Sequence, residues 1–163
     1  MTSTGVPDEK ASDSLEIRAV QAADLPALAA LYRHLNPGDA MVQQDEAEAI
    51  LERFAAYPGS VVLGGWDDME LVSSCTLVVI PNLTRGGMPY ALIENVVTAA
   101  THRKRGFGRL LLERAVSIAW EHDCYKAMLL TGSTEPATLA FYRGAGFEQN
   151  KTGFQVRRLP VKG

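Results

Sequence analysis

Cysteine and histidine are scarce in this 163-residue sequence, which has two of the first and three of the second. Cys75 and Cys124 both sit inside apolar stretches. Two cysteines exclude a disulfide framework or a thiolate zinc centre and point to a reducing, cytoplasmic setting. His34, His102 and His122 are scattered without ligand spacing, so no metal is expected. No apolar run approaches the roughly 20 residues that cross a bilayer, so no membrane partner is expected. Charge of one sign is lacking too: 16 basic against 19 acidic residues give a net −3, against broad nucleic-acid binding. The opening "MTSTGVPDEKASDS" (1–14) has neither an apolar core nor a cationic excess. It reads as a flexible tail rather than a targeting peptide. Residues 15–163 have the length of a single domain.

What is present is a regular succession of periodic segments. "LEIRAV" (15–20) alternates like a strand. "AADLPALAALYRHL" carries Leu25, Leu28, Leu31, Tyr32 and Leu35 at helical spacing, with Asp24 as N-cap and Pro26 in the first turn. After "NPGDA", the acid-rich "QQDEAEAILERFAAY" predicts a second helix ending at Pro58-Gly59. "SVVLGGW" and "ELVSSCTLVVI" predict two strands around a "DDM" turn, and "YALIENVVT" (90–98) a central strand. A helix follows to about His122, with Leu110, Leu111, Ala115, Ile118 and Ala119 as its buried stripe. "CYKAMLLTG" (124–132) predicts a strand, "EPATLAFYRGAG" a helix, and "FEQN" with "FQVRRLP" a closing hairpin. The order β-α-α-β-β-β-α-β-α-β-β implies an α/β fold with a mixed (α+β) sheet and helices on both faces. Trp66 and Trp120 read as core or interface anchors.

The chemistry concentrates at "THRKRGFGRLLLERA" (101–115), where Arg103, Lys104, Arg105 and Arg109 surround Gly106 and Gly108. A helix start leaves about four backbone N–H groups unpaired and carries roughly half a positive charge. Glycines let an anion approach those groups, and guanidinium groups add paired donors. The run Lys104–Arg109 is therefore a candidate phosphate site, and a solvated basic turn is the plain alternative. A P-loop is excluded because no Lys-Ser or Lys-Thr follows, and a dinucleotide fingerprint because the third glycine is missing. Phe107 contributes its backbone here while its side chain packs.

Arg103-x-x-Gly106-x-Gly108, after "IENVVT" and before "RLLLERAV", resembles the acetyl-coenzyme A motif of the GNAT acyltransferase superfamily. "LAFYRGAGFE" (139–148) resembles the second landmark of that family. "IENVV" and "CYKAMLL" are in addition similar to stretches of glucosamine-6-phosphate N-acetyltransferases. Asn95 stands where those enzymes carry an acidic residue, and "TGSTEPAT" replaces their acidic, Asn-containing segment.

The resemblance implies the GNAT fold and direct transfer of acetyl from acetyl-CoA, a co-substrate, to an amine of a small molecule. It implies that Val96, Val97 and Thr98 pair with the pantetheine arm, the Val96 N–H holding the thioester oxygen. The diphosphate would lie on Lys104–Arg109, beside Arg103. Tyr142 matches the tyrosine that protonates the departing thiolate, and Glu94 is the candidate base. Asn95 is a candidate acceptor ligand, as are Asn36 and Asp39 in the loop that walls the acceptor pocket in such proteins. Dimers are frequent in the family, and the closing strands offer a surface for a homodimer. A non-catalytic acyl-CoA-binding sensor would keep the phosphate loop but need neither Tyr142 nor Glu94.

Overall fold

The structure is a computed structural model that describes residues 14–159. Of the expected tail, all but Ser14 lies outside the described residues. The elements are β1 (Glu16–Ala19), α1 (Leu25–Tyr32), α2 (Gln44–Ala55), β2 (Val61–Asp67), β3 (Glu70–Ile80), β4 (Tyr90–Thr98), α3 (Phe107–Glu121), β5 (Ala127–Leu129) and α4 (Pro136–Gly144). Strands lie across the sheet in chain order. β1 to β4 pair antiparallel, and β5 runs parallel to β4 across the α3 crossover.

Helices cover both faces, as the periodicity predicts. On one face Leu111, Leu112, Ala115 and Ala119 of α3 pack on Leu63, Cys75, Leu77 and Ile93. On the other, Leu25, Leu28 and Leu31 of α1 meet Val62, Trp66, Leu71 and Val97. Arg18 on β1 binds Asp24 through two nitrogens at 2.7 and 3.0 Å, while its guanidinium lies 3.7 Å over the Trp66 ring. The Asp24 carboxyl is held below its ordinary pKa, chiefly by that hydrogen bond. No helix among the described residues is long and apolar enough to cross a membrane.

Four expectations change. Asp24 takes the expected N-cap position of α1, but its side chain makes no capping bond there: it closes a single 3-10 turn, accepting the Gln21 N–H at 2.8 Å, and is held toward β1 by Arg18. Leu112, not Leu110, completes the buried stripe of α3: Leu110 is 41% exposed, having rotated off a face narrower than the leucine run. The tryptophans divide between the two expected places: Trp66 is buried in the core, and Trp120, 51% exposed on α3, is left with the interface reading. β5 is only three residues long, and the closing hairpin is absent: residues 148–159 form no strand. A two-stranded hairpin gains stability only when an apolar face docks, and Phe154 and Val156 instead face solvent at 92% and 98% exposure.

The corrected stripe has a measurable consequence. Leu111→Ala is expected to lower unfolding free energy by about 2–5 kcal/mol in urea titrations, and Leu110→Ala by less than about 1 kcal/mol.

Candidate functional site

The site begins with an irregularity in β4. Thr76 pairs with Glu94 and Ser74 with Val97, so Asn95 and Val96 together oppose Cys75. This is a β-bulge, and Asn95 takes φ +53°, a left-handed conformation that asparagine tolerates better than most residues. The bulge breaks strand alternation, so Glu94 and Asn95, which a regular strand would put on opposite faces, are both exposed.

Past the bulge β4 loses its other neighbour. β5 pairs only with Ala91, Leu92 and Ile93. The Ala99 N–H donates to the Val72 carbonyl at 2.8 Å. Alternation then turns the N–H and C=O groups of Val96 and Thr98 away from β3, into the gap where β5 has ended. Val97 is buried, with Val96 and Thr98 half-buried. The Ser73 hydroxyl, fully buried, donates to the Val97 carbonyl at 3.0 Å and lies 3.0 Å from the Thr98 hydroxyl, fixing this stretch to β3.

The basic glycine loop follows directly. Gly106 sits at φ +84° as the residue before α3, and a Cβ there would meet nothing within 4 Å. Left-handed geometry, rather than crowding, is its reason for being glycine. Gly108 serves close approach instead: a Cβ would come within 3.1 Å of the Phe141 ring and 3.2 Å of the Thr98 hydroxyl. The first bond of the helix runs from the Leu110 N–H to the Gly106 carbonyl at 3.1 Å. Among the described residues, the N–H groups of Phe107, Gly108 and Arg109 therefore have no acceptor. The cations around them differ in their tasks. Arg103 folds back, its Nε donating to the Thr98 carbonyl at 3.2 Å. Lys104 takes φ +64°. Arg105 binds Asp67 at 2.7 Å and lies 4.5 Å over the buried Phe107 ring. Arg109 pairs with Glu113 one turn on at 2.7 Å. An anion reaching this helix end would meet a loop already pinned to β2 and β4.

Tyr142, half-buried on α4, is brought within the field of Glu94. Burial, first, and the Glu94 charge, second, raise its pKa above the ordinary phenol value, so it remains a proton-bearing donor at neutral pH. Its ring is 5.0 Å from that of Phe141, which closes over Gly108. Asn36 and Asp39 stay on the exposed α1–α2 loop, where the Asp39 N–H donates to the Asn36 carbonyl at 3.2 Å. Neither lines the groove of about 640 Å³ that runs from Ala27 and His34 on α1 to the Asp67–Leu71 turn and Ala99. Both cysteines are buried; burial pushes the Cys75 thiol up to about 12 and raises that of Cys124 as well. Neither supplies a thiolate nucleophile. Among the described residues no three His, Cys, Asp or Glu side chains gather as a metal site.

Three contributors escape the sequence motif. Asp67 anchors Arg105 and stands 3.6 Å from His102 Nε2, so it links the β2–β3 turn to the loop. Ser73 braces β4. Tyr32, its hydroxyl pKa raised by burial and partly offset by Thr76 and Ser74, backs β3 opposite the bulge. The signal was present in "LVSSCTLVV": consecutive small polar residues inside an apolar strand require buried partners.

A strand that parts from its neighbour beside a helix end of unpaired N–H groups is an arrangement for holding an extended, phosphate-bearing carrier. The chain belongs to the acetyltransferase (GNAT) family, whose model matches residues 27–147. It is 28% identical over 137 residues to a glucosamine 6-phosphate N-acetyltransferase of Trypanosoma brucei brucei, covering 84% of this chain and 91% of the relative. A solved structure from Agrobacterium tumefaciens str. C58, an acetyltransferase by name, is 45% identical, with TM-score 0.82 over 88% of this chain and 99% of that one. The aminoglycoside N-acetyltransferase AAC(6')-Iy in complex with CoA shares the fold at 17% identity, with TM-score 0.73 over 94% of this chain and 99% of that one.

The coupling between Glu94 and Tyr142 can be read directly. In spectra of protein labelled at the tyrosine Cζ carbon, Glu94→Gln is expected to move the Tyr142 titration to lower pH, and an unmoved titration would remove the coupling.

Proposed function

We propose that the protein is an acetyl-CoA-dependent N-acetyltransferase that moves acetyl from the thioester directly to a primary amine of a small molecule. The observation that carries this reading is the continuity of three features along one stretch of chain. A bulge opens β4, its backbone groups face a gap, and unpaired N–H groups begin α3 within a dozen residues. That sequence of features suits a carrier with a diphosphate at one end and an amide-bearing arm leading to a thioester.

The diphosphate is held by the N–H groups of the Lys104–Arg109 run, with the positive helix end and Arg103 adding charge. Of the three residues expected along the arm, Val96 and Thr98 face it with their backbone groups, while Val97 pairs with Ser74 of β3 and holds the stretch in place. The Val96 N–H donates to the thioester oxygen as negative charge gathers on it, a contribution that mutagenesis elsewhere values at roughly 3–4 kcal/mol per donor. The amine nitrogen attacks the thioester carbon, the carbon–sulfur bond breaks, and the thiolate takes its proton from Tyr142. The proton lost by the amine passes to Glu94, directly or through water. Asn95, Asn36 and Asp39 contribute to recognition of the acceptor. Among amines, an amino sugar phosphate heads the panel because the Trypanosoma relative is named for one. Aminoglycosides follow because a neighbour in fold acetylates them by name.

Loss of the acetyl-CoA thioester in the presence of a panel of such amines tests the reading; loss with no amine in the panel would reduce the protein to an acyl-CoA-binding module. In calorimetric titrations Gly106→Trp is expected to weaken acetyl-CoA binding several-fold, and equal affinity would remove the loop from the site. Tyr142→Phe is expected to lower kcat by roughly 10- to 100-fold with little change in acetyl-CoA affinity.

A further inference from the structure

We propose that His102 is a positioning residue for the phosphate loop whose protonation tightens diphosphate binding, so that the protein takes up a proton as the carrier binds. The inference rests on the reading that this loop holds a diphosphate.

His102 ends the single 3-10 turn (Ala100–His102) that joins β4 to the basic loop, and its N–H donates to the Ala99 carbonyl at 2.9 Å. Its side chain is only 15% exposed, and three elements besides its own turn pack on it. Asp67 at the end of β2 and Glu70 at the start of β3 stand 3.6 and 3.9 Å from Nε2. Phe107, the first residue of α3, lies against the imidazole with ring centroids 6.4 Å apart and planes inclined by 27°. On the other side of the ring, Thr101 Oγ1 is 2.8 Å from Nδ1.

Both charge states of the imidazole are therefore provided for. Nε2 faces carboxylates, which only accept, so the neutral ring carries its proton there and Nδ1 accepts from the Thr101 hydroxyl. A second proton requires only that this hydroxyl turn and accept instead. No heavy atom has to move, and the new charge meets two carboxylates. Packing against Phe107 alone would require neither arrangement.

The remaining charges around the ring set the sign. Arg105 is the like charge, its Nη1 2.7 Å from Oδ2 of Asp67, the same oxygen that His102 faces. Asp68 and His34 line the adjoining groove, and Arg103 is turned to the Thr98 carbonyl. A diphosphate on the N–H groups of Phe107, Gly108 and Arg109 brings negative charge to the far side of the Phe107 ring. That charge favours the imidazolium, and by linkage the imidazolium favours the anion by the same factor. Little of the ring reaches water, so salt screens the coupling less than it would on an open surface. The charged ring also grips the β2–β3 turn, which holds Phe107 and the helix start in place. Affinity therefore rises as pH falls, over the interval of about pH 5 to 8 in which histidine ordinarily changes charge.

The probe is 3′-dephospho-coenzyme A, whose diphosphate is a diester and keeps its charge across that interval. In calorimetric titrations the wild-type chain is expected to bind it about 3- to 10-fold more tightly near pH 5.5 than near pH 7.5. Proton uptake is expected as well, read from the difference in heat between buffers of unlike ionisation enthalpy. His102→Gln is expected to bind with a flat pH profile and no uptake. Glu70→Gln, which alters an exposed carboxylate and leaves the packing alone, is expected to move the dependence to lower pH. Binding of the probe without pH dependence, a dependence that persists in His102→Gln, or one unmoved in Glu70→Gln would overturn the role of His102 alone. No saturable binding at either pH would overturn the diphosphate reading and this inference with it.

Discussion

One backbone distortion, the left-handed turn of Asn95 within β4, sets the geometry on which the site depends. Without it Glu94 and Asn95 would face opposite sides of a continuous sheet, and the hydrogen-bonding groups of Val96 and Thr98 would fall out of step with the gap. The bulge is not a loose place. Ser73 grips Val97 and Thr98 from β3, and Ser74 donates to the Leu63 carbonyl at 2.8 Å, so the irregular strand is held by buried hydroxyls on its regular neighbour. Buried hydroxyls of this kind are stabilising because each is paired; among the described residues no buried side-chain polar atom is left without a partner.

The basic loop shows a division of labour that its composition conceals. Four cations crowd around two glycines, yet their partners differ. Arg105 and Arg109 are engaged by Asp67 and Glu113, and Arg103 by the strand that precedes it. These contacts give shape to the loop, while the unpaired N–H groups at the start of α3 are the donors that the proposed diphosphate would meet. Preorganisation of this sort lowers the ordering entropy that binding must overcome. The two glycines divide in the same way. Gly106 supplies a conformation; Gly108 lets the Phe141 ring and Thr98 close on the helix.

Most of the fold is legible in the sequence because local patterns there coincide with tertiary demands. β3 and β4 run over the residues that alternation and β-branching predict, and α3 ends at the expected point, with His122 as its cap. The misreadings occur where a single side chain chooses between neighbours. Asp24 answers to Arg18 rather than to α1, and the three consecutive leucines of α3 cannot all face inward, so Leu110 turns out. The candidate site is legible as a motif but not as a geometry. Nothing in "IENVV" announces a bulge, since asparagine in a strand reads only as a weak strand former. Asp67 lies 38 residues from Arg105, and only folding reveals that the two meet. The closing segment reads as a hairpin because alternation reports a strand's character and says nothing of whether an apolar face docks.

Strand order carries one more consequence. Because β1 to β5 lie across the sheet in the order of synthesis, each strand after β1 has a partner that precedes it in the chain. Within the antiparallel part, β2 and β3 are joined by a tight turn, whereas β1 and β2 are joined across α1 and α2. The cleft comes last, since it is the space left between a strand finished early and one delivered only after a fifteen-residue helix has crossed over. The core cluster under α1 is thus built almost wholly from residues that precede α3, while the cleft needs everything up to β5.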